Sequence, residues 1–184
     1  DTATFYSISN CQEGLSRVTL GNFLIKRVVF EIQEELPNIK NFGTLSPIPG
    51  FRDWFSYLED VKIKNILGEI PLENISFLKS TDLKVGDPRI VSNKEAITKL
   101  VAHYLMNEKN HKQLPINDVC RFHLGNGAII DDIVINANVS EVGLNRSFGV
   151  MVNYLYELKN IEKNHEEYIN NKTIIISDKL KKII

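Results

Sequence analysis

The sequence predicts one domain of mixed α and β structure, and two observations support this prediction. Segments rich in Thr, Ile, Val, Phe and Tyr alternate along the chain with segments whose apolar residues recur every three or four positions. The 184 residues are 43% hydrophobic and 24% charged, which is typical of one globular domain. At this length roughly 70% of the unfolded surface can be buried, so we expect a substantial hydrophobic core.

The first predicted elements are a strand, a loop and a helix. Thr2 to Ser9 is rich in β-branched and aromatic residues and contains no Gly or Pro, which favours a strand. Asn10 to Val18 follows as a loop. From Thr19 to Leu36 the apolar residues have a helical period, and Pro37 ends the helix.

A second strand and a short helix follow. Lys40 to Leu45 is a strand candidate that Ser46-Pro47-Ile48-Pro49-Gly50 ends, because two prolines and a glycine cannot continue a ladder of hydrogen bonds. Phe51 to Leu58 has the apolar spacing of a short amphipathic helix. The mixed pattern of Asp60 to Val91 predicts no particular element.

The second half begins with two predicted helices. Ser92 followed by Glu95 is a capping-box signature, and apolar residues on one face continue that helix to Leu105. Asn117 can cap a short helix that continues to Leu124 and that the next glycine would end.

Two strands and a charged end complete the predicted chain. Ala128 to Val139 and Gly149 to Leu158 are rich in Ile, Val and Tyr, and we expect them to pair as antiparallel strands across a polar stretch of nine residues. After Lys159 the sequence is rich in Lys, Asn and Glu, and we expect a solvated periphery there.

The charge balance argues against some classes of partner. Lys and Arg number 22 against 23 Asp and Glu, a formal charge of −1, so neither nucleic acid nor an anionic membrane is expected as the main partner. The longest uncharged stretches have eleven residues, short of the roughly 20 that a membrane-spanning helix needs.

Two cysteines form neither a disulfide framework nor a zinc motif, so we expect no metal and a reducing, cytoplasmic location.

The loop before the first helix is a candidate phosphate site. Unpaired amides at a helix N-terminus, together with the helix dipole, favour an anion. The residues that could contribute are Gly14, Ser16, Arg17, Thr19, Gly21 and Asn22. The segment matches neither common glycine-rich phosphate motif, so an ordinary capped helix start stays an open alternative.

A serine and a histidine are the other candidates for chemistry. Ser46 ends a predicted strand next to stiff proline backbone, where it either begins a turn or presents its hydroxyl for function. His123 lies between Phe122 and Leu124, just before a glycine turn. It is either a structural core histidine or a general acid or base whose pKa its surroundings set.

Four segments carry a resemblance to a known family. They are Phe5 to Leu15, Leu45 to Phe51, Arg121 to Ala128 and Gly149 to Tyr156. The most specific parts are Ser-Pro-Ile-Pro-Gly-Phe in the second segment and Phe-His-Leu-Gly-Asn-Gly-Ala in the third. Together these segments resemble the C-terminal catalytic region of malonyl-CoA decarboxylase. The resemblance assigns residues 1–158 to that catalytic domain and leaves 159–184 as a peripheral charged segment.

The resemblance implies a fold and a set of site residues. The fold would be a GNAT-like acyl-CoA binding fold that lacks its N-terminal strands, put to decarboxylation instead of acyl transfer. Ser46 and His123 would be the catalytic pair, and Tyr156 would line the active site. The substrate loop would consist of Ser16, Arg17, Val18, Thr19, Leu20, Gly21 and Asn22.

The implied reaction converts malonyl-CoA to acetyl-CoA and carbon dioxide. The thioester itself accepts the electrons, so no cofactor is expected, and the protein has to stabilise an oxyanion and supply a proton. The resemblance also implies a homo-oligomer, formed through the helical domain of the family that this chain does not contain. Two alternatives stay open: a GNAT-type N-acetyltransferase, and an incomplete, non-catalytic fragment that binds CoA.

Overall fold

A mixed sheet of four strands organises the described part of the chain. The computed structural model describes residues 1–6 and 21–184, and side chains from residue 25 onwards in the second range. The strands are β1 (Thr2–Phe5), β2 (Asn41–Pro47), β3 (Ile129–Val134) and β4 (Met151–Leu155). Their order is β1-β2-β4-β3, with β1 parallel to β2 and the other two pairs antiparallel. The mixed α and β class and the antiparallel pairing of the last two strands are thus confirmed.

The described residues also form ten α-helices. They are α1 (Gly21–Glu35), α2 (Phe51–Ser56), α3 (Asp60–Leu67), α4 (Glu73–Ser76), α5 (Pro88–Ser92), α6 (Lys94–Met106), α7 (Asp118–Gly125), α8 (Glu141–Ser147), α9 (Ile161–Asn171) and α10 (Asp178–Lys181). A short 3₁₀ helix, Phe77–Lys79, follows α4. The predicted helices correspond to α1, α2, α6 and α7. Among the helices of the described residues, none has the length and apolar character that crossing a bilayer requires.

The core lies against one face of the sheet, and the strand period decides which residues reach it. Phe42, Thr44 and Ser46 alternate along β2 and are all buried. Antiparallel register places Thr44 beside Tyr154 and Ser46 beside Val152 of β4. These paired side chains therefore share the core face.

Strand β2 is longer than predicted. It includes Ser46 and Pro47, because its pairing with β4 continues to Pro47 opposite Met151, whereas its pairing with β1 ends at Thr44 in the described residues. A proline is tolerated where a strand has a neighbour on one side only. Ser46 is consequently a strand residue whose side chain has a defined face.

The predicted capping box at Ser92 is wrong. Ser92 is the last residue of α5, and its hydroxyl donates to the carbonyl of Pro88 at 3.2 Å. Helix α5 begins earlier because Asp87 caps it, accepting from the backbone N–H of Arg89 at 2.9 Å, and Pro88 occupies its first turn. Helix α6 then follows Asn93 without a side-chain cap.

Two further segments differ from expectation. The polar stretch before β4 contains α8, because Ser140 accepts a hydrogen bond from the N–H of Gly143 at 3.0 Å and caps the helix. After Lys159, the charged segment contains α9 and α10, whose side chains Ile161, Tyr168 and Leu180 are buried. Apolar residues spaced along a polar helix were sufficient to dock this segment on the core.

Candidate active site

Ser46 and His123 meet on the core face of the sheet. The Ser46 Oγ lies 3.0 Å from Nε2 of His123, although 77 positions separate the two residues in the chain. Ser46 is 6% exposed and His123 is 2% exposed. The structure therefore shows a buried histidine that is also hydrogen-bonded to the candidate serine.

Capping of α7 fixes the position of His123. The side-chain oxygen of Asn117 accepts a hydrogen bond from the N–H of Cys120 at 2.8 Å, which caps the helix as the sequence predicts. The amide nitrogen of Asn117 donates to the carbonyl of Pro49 at 2.9 Å, and the hydroxyl of Tyr104 donates to the same oxygen at 3.0 Å. One asparagine thus ties the helix of His123 to the turn that follows Ser46.

Two tyrosines hold the imidazole ring. Nδ1 of His123 lies 2.8 Å from the hydroxyl of Tyr156. The ring of Tyr154 stacks on the imidazole, with centroids 4.4 Å apart and planes inclined by 21°. Tyr156 follows β4 and is fixed by its own backbone N–H, which donates to the carbonyl of Phe42 at 2.8 Å. Both ring nitrogens of His123 consequently have hydroxyl partners.

Thr44 adds a third hydroxyl. Its Oγ1 lies 2.9 Å from the Oγ of Ser46, because residues two apart in a strand project from the same face. Sequence analysis missed both Thr44 and Tyr154. A signal for both was present in the sequence. Thr44 lies two residues before the candidate Ser46, and Tyr154 lies two residues before the candidate Tyr156, a spacing that places strand residues on the same face.

Burial keeps the imidazole neutral. It lowers the pKa of His123 to about 3, since the low dielectric of the core disfavours the charged ring. Burial also raises the pKa of the Tyr156 hydroxyl, so this partner stays protonated at neutral pH. At pH 7 the imidazole therefore has one N–H donor and one acceptor nitrogen.

The structure brings together three of the predicted site residues: Ser46, His123 and Tyr156. Gly21 and Asn22 are the first two residues of α1. The other predicted loop residues, Ser16, Arg17, Val18, Thr19 and Leu20, lie outside the described residues.

Comparisons with known proteins agree on one family. A family model described as the malonyl-CoA decarboxylase C-terminal domain matches residues 1–184. The chain is 38% identical to the mitochondrial malonyl-CoA decarboxylase of Rattus norvegicus over 201 residues, which cover 99% of this chain and 40% of that protein. The corresponding Mus musculus protein is 36% identical, with the same coverage of both chains.

Solved structures give the same result. A crystal structure of malonyl-CoA decarboxylase from Rhodopseudomonas palustris matches with a TM-score of 0.86 and 39% identity, over 99% of this chain and 42% of that chain. One from Agrobacterium vitis matches with a TM-score of 0.84 and 36% identity, over 99% and 45%. The chain thus spans about 40% of the length of the curated relatives.

Proposed function

The chain belongs to the malonyl-CoA decarboxylase family, and from this premise we propose that it releases carbon dioxide from malonyl-CoA to leave acetyl-CoA. The observation that supports the proposal most directly is the buried hydrogen bond between Ser46 and His123. A hydroxyl and an imidazole in contact can stabilise an oxyanion and handle a proton, the two tasks that this reaction sets.

The bond changes of the proposed reaction define those tasks. The bond between the α carbon and the carboxylate breaks, and its electron pair moves into the thioester, which becomes an enolate. Carbon dioxide leaves uncharged, and the α carbon then takes up one proton to give acetyl-CoA. The protein therefore has to stabilise the enolate oxygen and deliver that proton.

We assign these tasks to the observed pair. Ser46 hydrogen-bonds the malonyl carboxylate or the enolate oxygen, and His123 supplies the proton to carbon. His123 is neutral before substrate binds, as its lowered pKa indicates. A carboxylate that enters the site favours the protonated ring, because an opposite charge within about 4–6 Å raises the pKa of an imidazole. The ring would thus take up a proton from solvent when the substrate binds, pass that proton to the α carbon and return to its neutral form.

We place the phosphates of CoA at the start of α1. Helix α1 has 15 residues, so its N-terminal amides and dipole can favour an anion. The proposed substrate loop, residues 16–22, leads directly into this helix, and Arg17 provides a positive charge. Changing Arg17→Glu should chiefly raise the KM for malonyl-CoA, whereas an unchanged KM would remove Arg17 from the phosphate site.

Carbon dioxide release from malonyl-CoA tests the catalytic proposal. We expect Ser46→Ala and His123→Ala each to lower kcat by on the order of 100-fold while CoA affinity is retained. Matched controls are Ser56→Ala and His111→Ala, which alter exposed residues and should keep the wild-type rate. Undiminished release by either site variant would refute the assignment.

The wild-type chain distinguishes the alternatives. CoA binding without carbon dioxide release would favour the non-catalytic CoA-binding alternative. Transfer of an acetyl group from acetyl-CoA to added amines would favour the N-acetyltransferase alternative, which rests on the GNAT-like fold that the family resemblance implies.

Assembly and location complete the proposal. We infer a homo-oligomer formed through the helical domain of the family, so light scattering coupled to gel filtration should give an oligomeric mass for a chain that includes this domain and about 21.0 kDa for the present 184 residues. A cytoplasmic location and a role in fatty acid metabolism are also inferred. The curated relatives are named as mitochondrial proteins, so fluorescence localisation of the tagged protein is the appropriate test of location.

A further inference from the structure

Four polar side chains form a continuous row in the core. The row consists of Thr44, Ser46, His123 and Tyr156, with successive heavy-atom distances of 2.9, 3.0 and 2.8 Å. All four residues are buried. In such surroundings the orientation of one hydrogen bond constrains the next, because each hydroxyl has a single hydrogen to donate.

The two tautomers of the neutral imidazole give two orientations in which every hydrogen bond of this row runs in the same direction. In the first, Tyr156 donates to Nδ1 of His123, the Nε2–H donates to Ser46, and Ser46 donates to Thr44. In the second, every donor and acceptor is exchanged: Thr44 donates to Ser46, Ser46 donates to Nε2, and the Nδ1–H donates to Tyr156. The tautomer of His123 therefore decides what Ser46 can offer to a ligand.

The first orientation suits an anionic ligand. In it the hydrogen of Ser46 points away from His123 and can turn from Thr44 to a substrate oxygen, while the Nε2–H still supports the serine. In the second orientation the Ser46 hydrogen is engaged with the ring, and a lone pair would face the anion. Tyr156 is also the natural donor at the end of the row, since a phenol is more acidic than an aliphatic hydroxyl.

We propose that Thr44 is a positioning residue, which accepts the Ser46 hydrogen at rest and releases it to the substrate oxygen, with His123 held as the Nε2–H tautomer. This inference rests on the proposed function, since it concerns how the same serine is prepared. The register of β2 supports it: Thr44 lies directly beside Tyr154, whose ring stacks on His123, so serine, threonine and imidazole share one rigid surface.

Nitrogen NMR of ¹⁵N-histidine-labelled chain tests the tautomer without requiring activity. We expect the wild-type protein to show a protonated Nε2 and an unprotonated Nδ1 at His123. Thr44→Val keeps the shape of the side chain and removes one hydrogen bond from each orientation. The first orientation is left with an unpaired Ser46 hydrogen, whereas in the second that hydrogen stays bonded to Nε2, so the population should move towards the Nδ1–H form. Tyr156→Phe removes the acceptor of the second orientation and should retain Nε2–H. An Nδ1–H tautomer in the wild-type chain would overturn the proposal.

Steady-state kinetics with malonyl-CoA test the positioning role. Thr44→Val should lower kcat about tenfold, the effect of one hydrogen bond, with little change in KM. Thr44→Ser keeps the hydroxyl and should restore kcat to within about twofold. Wild-type kinetics and an unchanged tautomer in Thr44→Val would refute the role of Thr44.

The Ser46→Ala variant separates this inference from the proposed function. Full activity in Ser46→Ala would refute the catalytic assignment of Ser46 itself. An inactive Ser46→Ala beside a fully active Thr44→Val would refute only the positioning role.

Discussion

Acidification from pH 7 to pH 5 tests whether His123 is held neutral in the folded chain. Burial lowers the pKa of its imidazole to about 3, whereas the pKa of an exposed histidine is about 6.5. Within this window the unfolded chain takes up a proton at His123 that the folded chain does not. Since the unfolded state binds more protons, the free energy of unfolding falls as the pH falls.

The expected magnitude follows from the two pKa values. Each proton taken up only by the unfolded state costs about 1.4 kcal/mol per pH unit. The unfolded imidazole is about one quarter protonated at pH 7 and almost fully protonated at pH 5, whereas the folded one stays neutral throughout. Integration over the two pH units gives a loss of about 2 kcal/mol from His123 alone.

Urea unfolding at the two pH values measures this loss. The other titratable groups contribute to both proteins, so the difference between the wild-type chain and His123→Gln isolates the contribution of His123. His111→Gln, which alters an exposed histidine, should behave like the wild type. An NMR titration of the His123 ring in the wild-type chain gives the same information if the variant does not fold. Equal losses in the wild type and His123→Gln, or a ring that titrates near pH 6.5, would refute the reasoning.

Three substitutions test the packing around the site by urea unfolding. Gly127→Ala should destabilise the chain by about 2–3 kcal/mol, because its φ is +82° and a Cβ would clash with the carbonyl oxygen of Ile161. The control Gly86→Ala has a similar φ of +73° but open space around it, and should cost about 1 kcal/mol; equal costs would show that Ile161 yields. Asn117→Ala removes a helix cap and should cost about 1–3 kcal/mol, whereas Asn117→Asp keeps the capping oxygen and should cost less. Thr98→Val should be neutral or stabilising, since the Thr98 hydroxyl is buried without a partner among the described residues; a clear loss would reveal a hydrogen bond to this group.

The predictable part of the fold is the part that local signals determine. Asn117 carries its own cap, and the apolar period of the following residues requires no distant partner, so α7 could be placed from the sequence. The same reasoning failed at Ser92, where Asp87 and Pro88 form an earlier helix start that competes for the segment. Where two capping signals overlap, the sequence alone does not show which one begins the helix, because packing against the rest of the chain selects it.

The contact between Ser46 and His123 lies beyond such local reasoning. Their distance depends on the register of β2 against β4 and on how α7 docks on the sheet, and both depend on residues far away in the sequence. The family resemblance suggested the pair, but only the fold shows that Tyr154 stacks on the ring and that Thr44 contacts the serine. Strand alternation predicts that Thr44 and Ser46 share a face, but not that the core covers that face.

The location of Ser46 inside a paired strand limits how this chain can vary in length. Insertion of one residue into β2 between Thr44 and Ser46 would leave only one of these two side chains on the core face, because successive strand residues alternate between faces. We therefore expect changes in chain length to be tolerated in residues 36–40, which precede β2 and are mostly exposed, rather than within the strand. The architecture of the sheet thus sets the spacing between serine and imidazole in this chain.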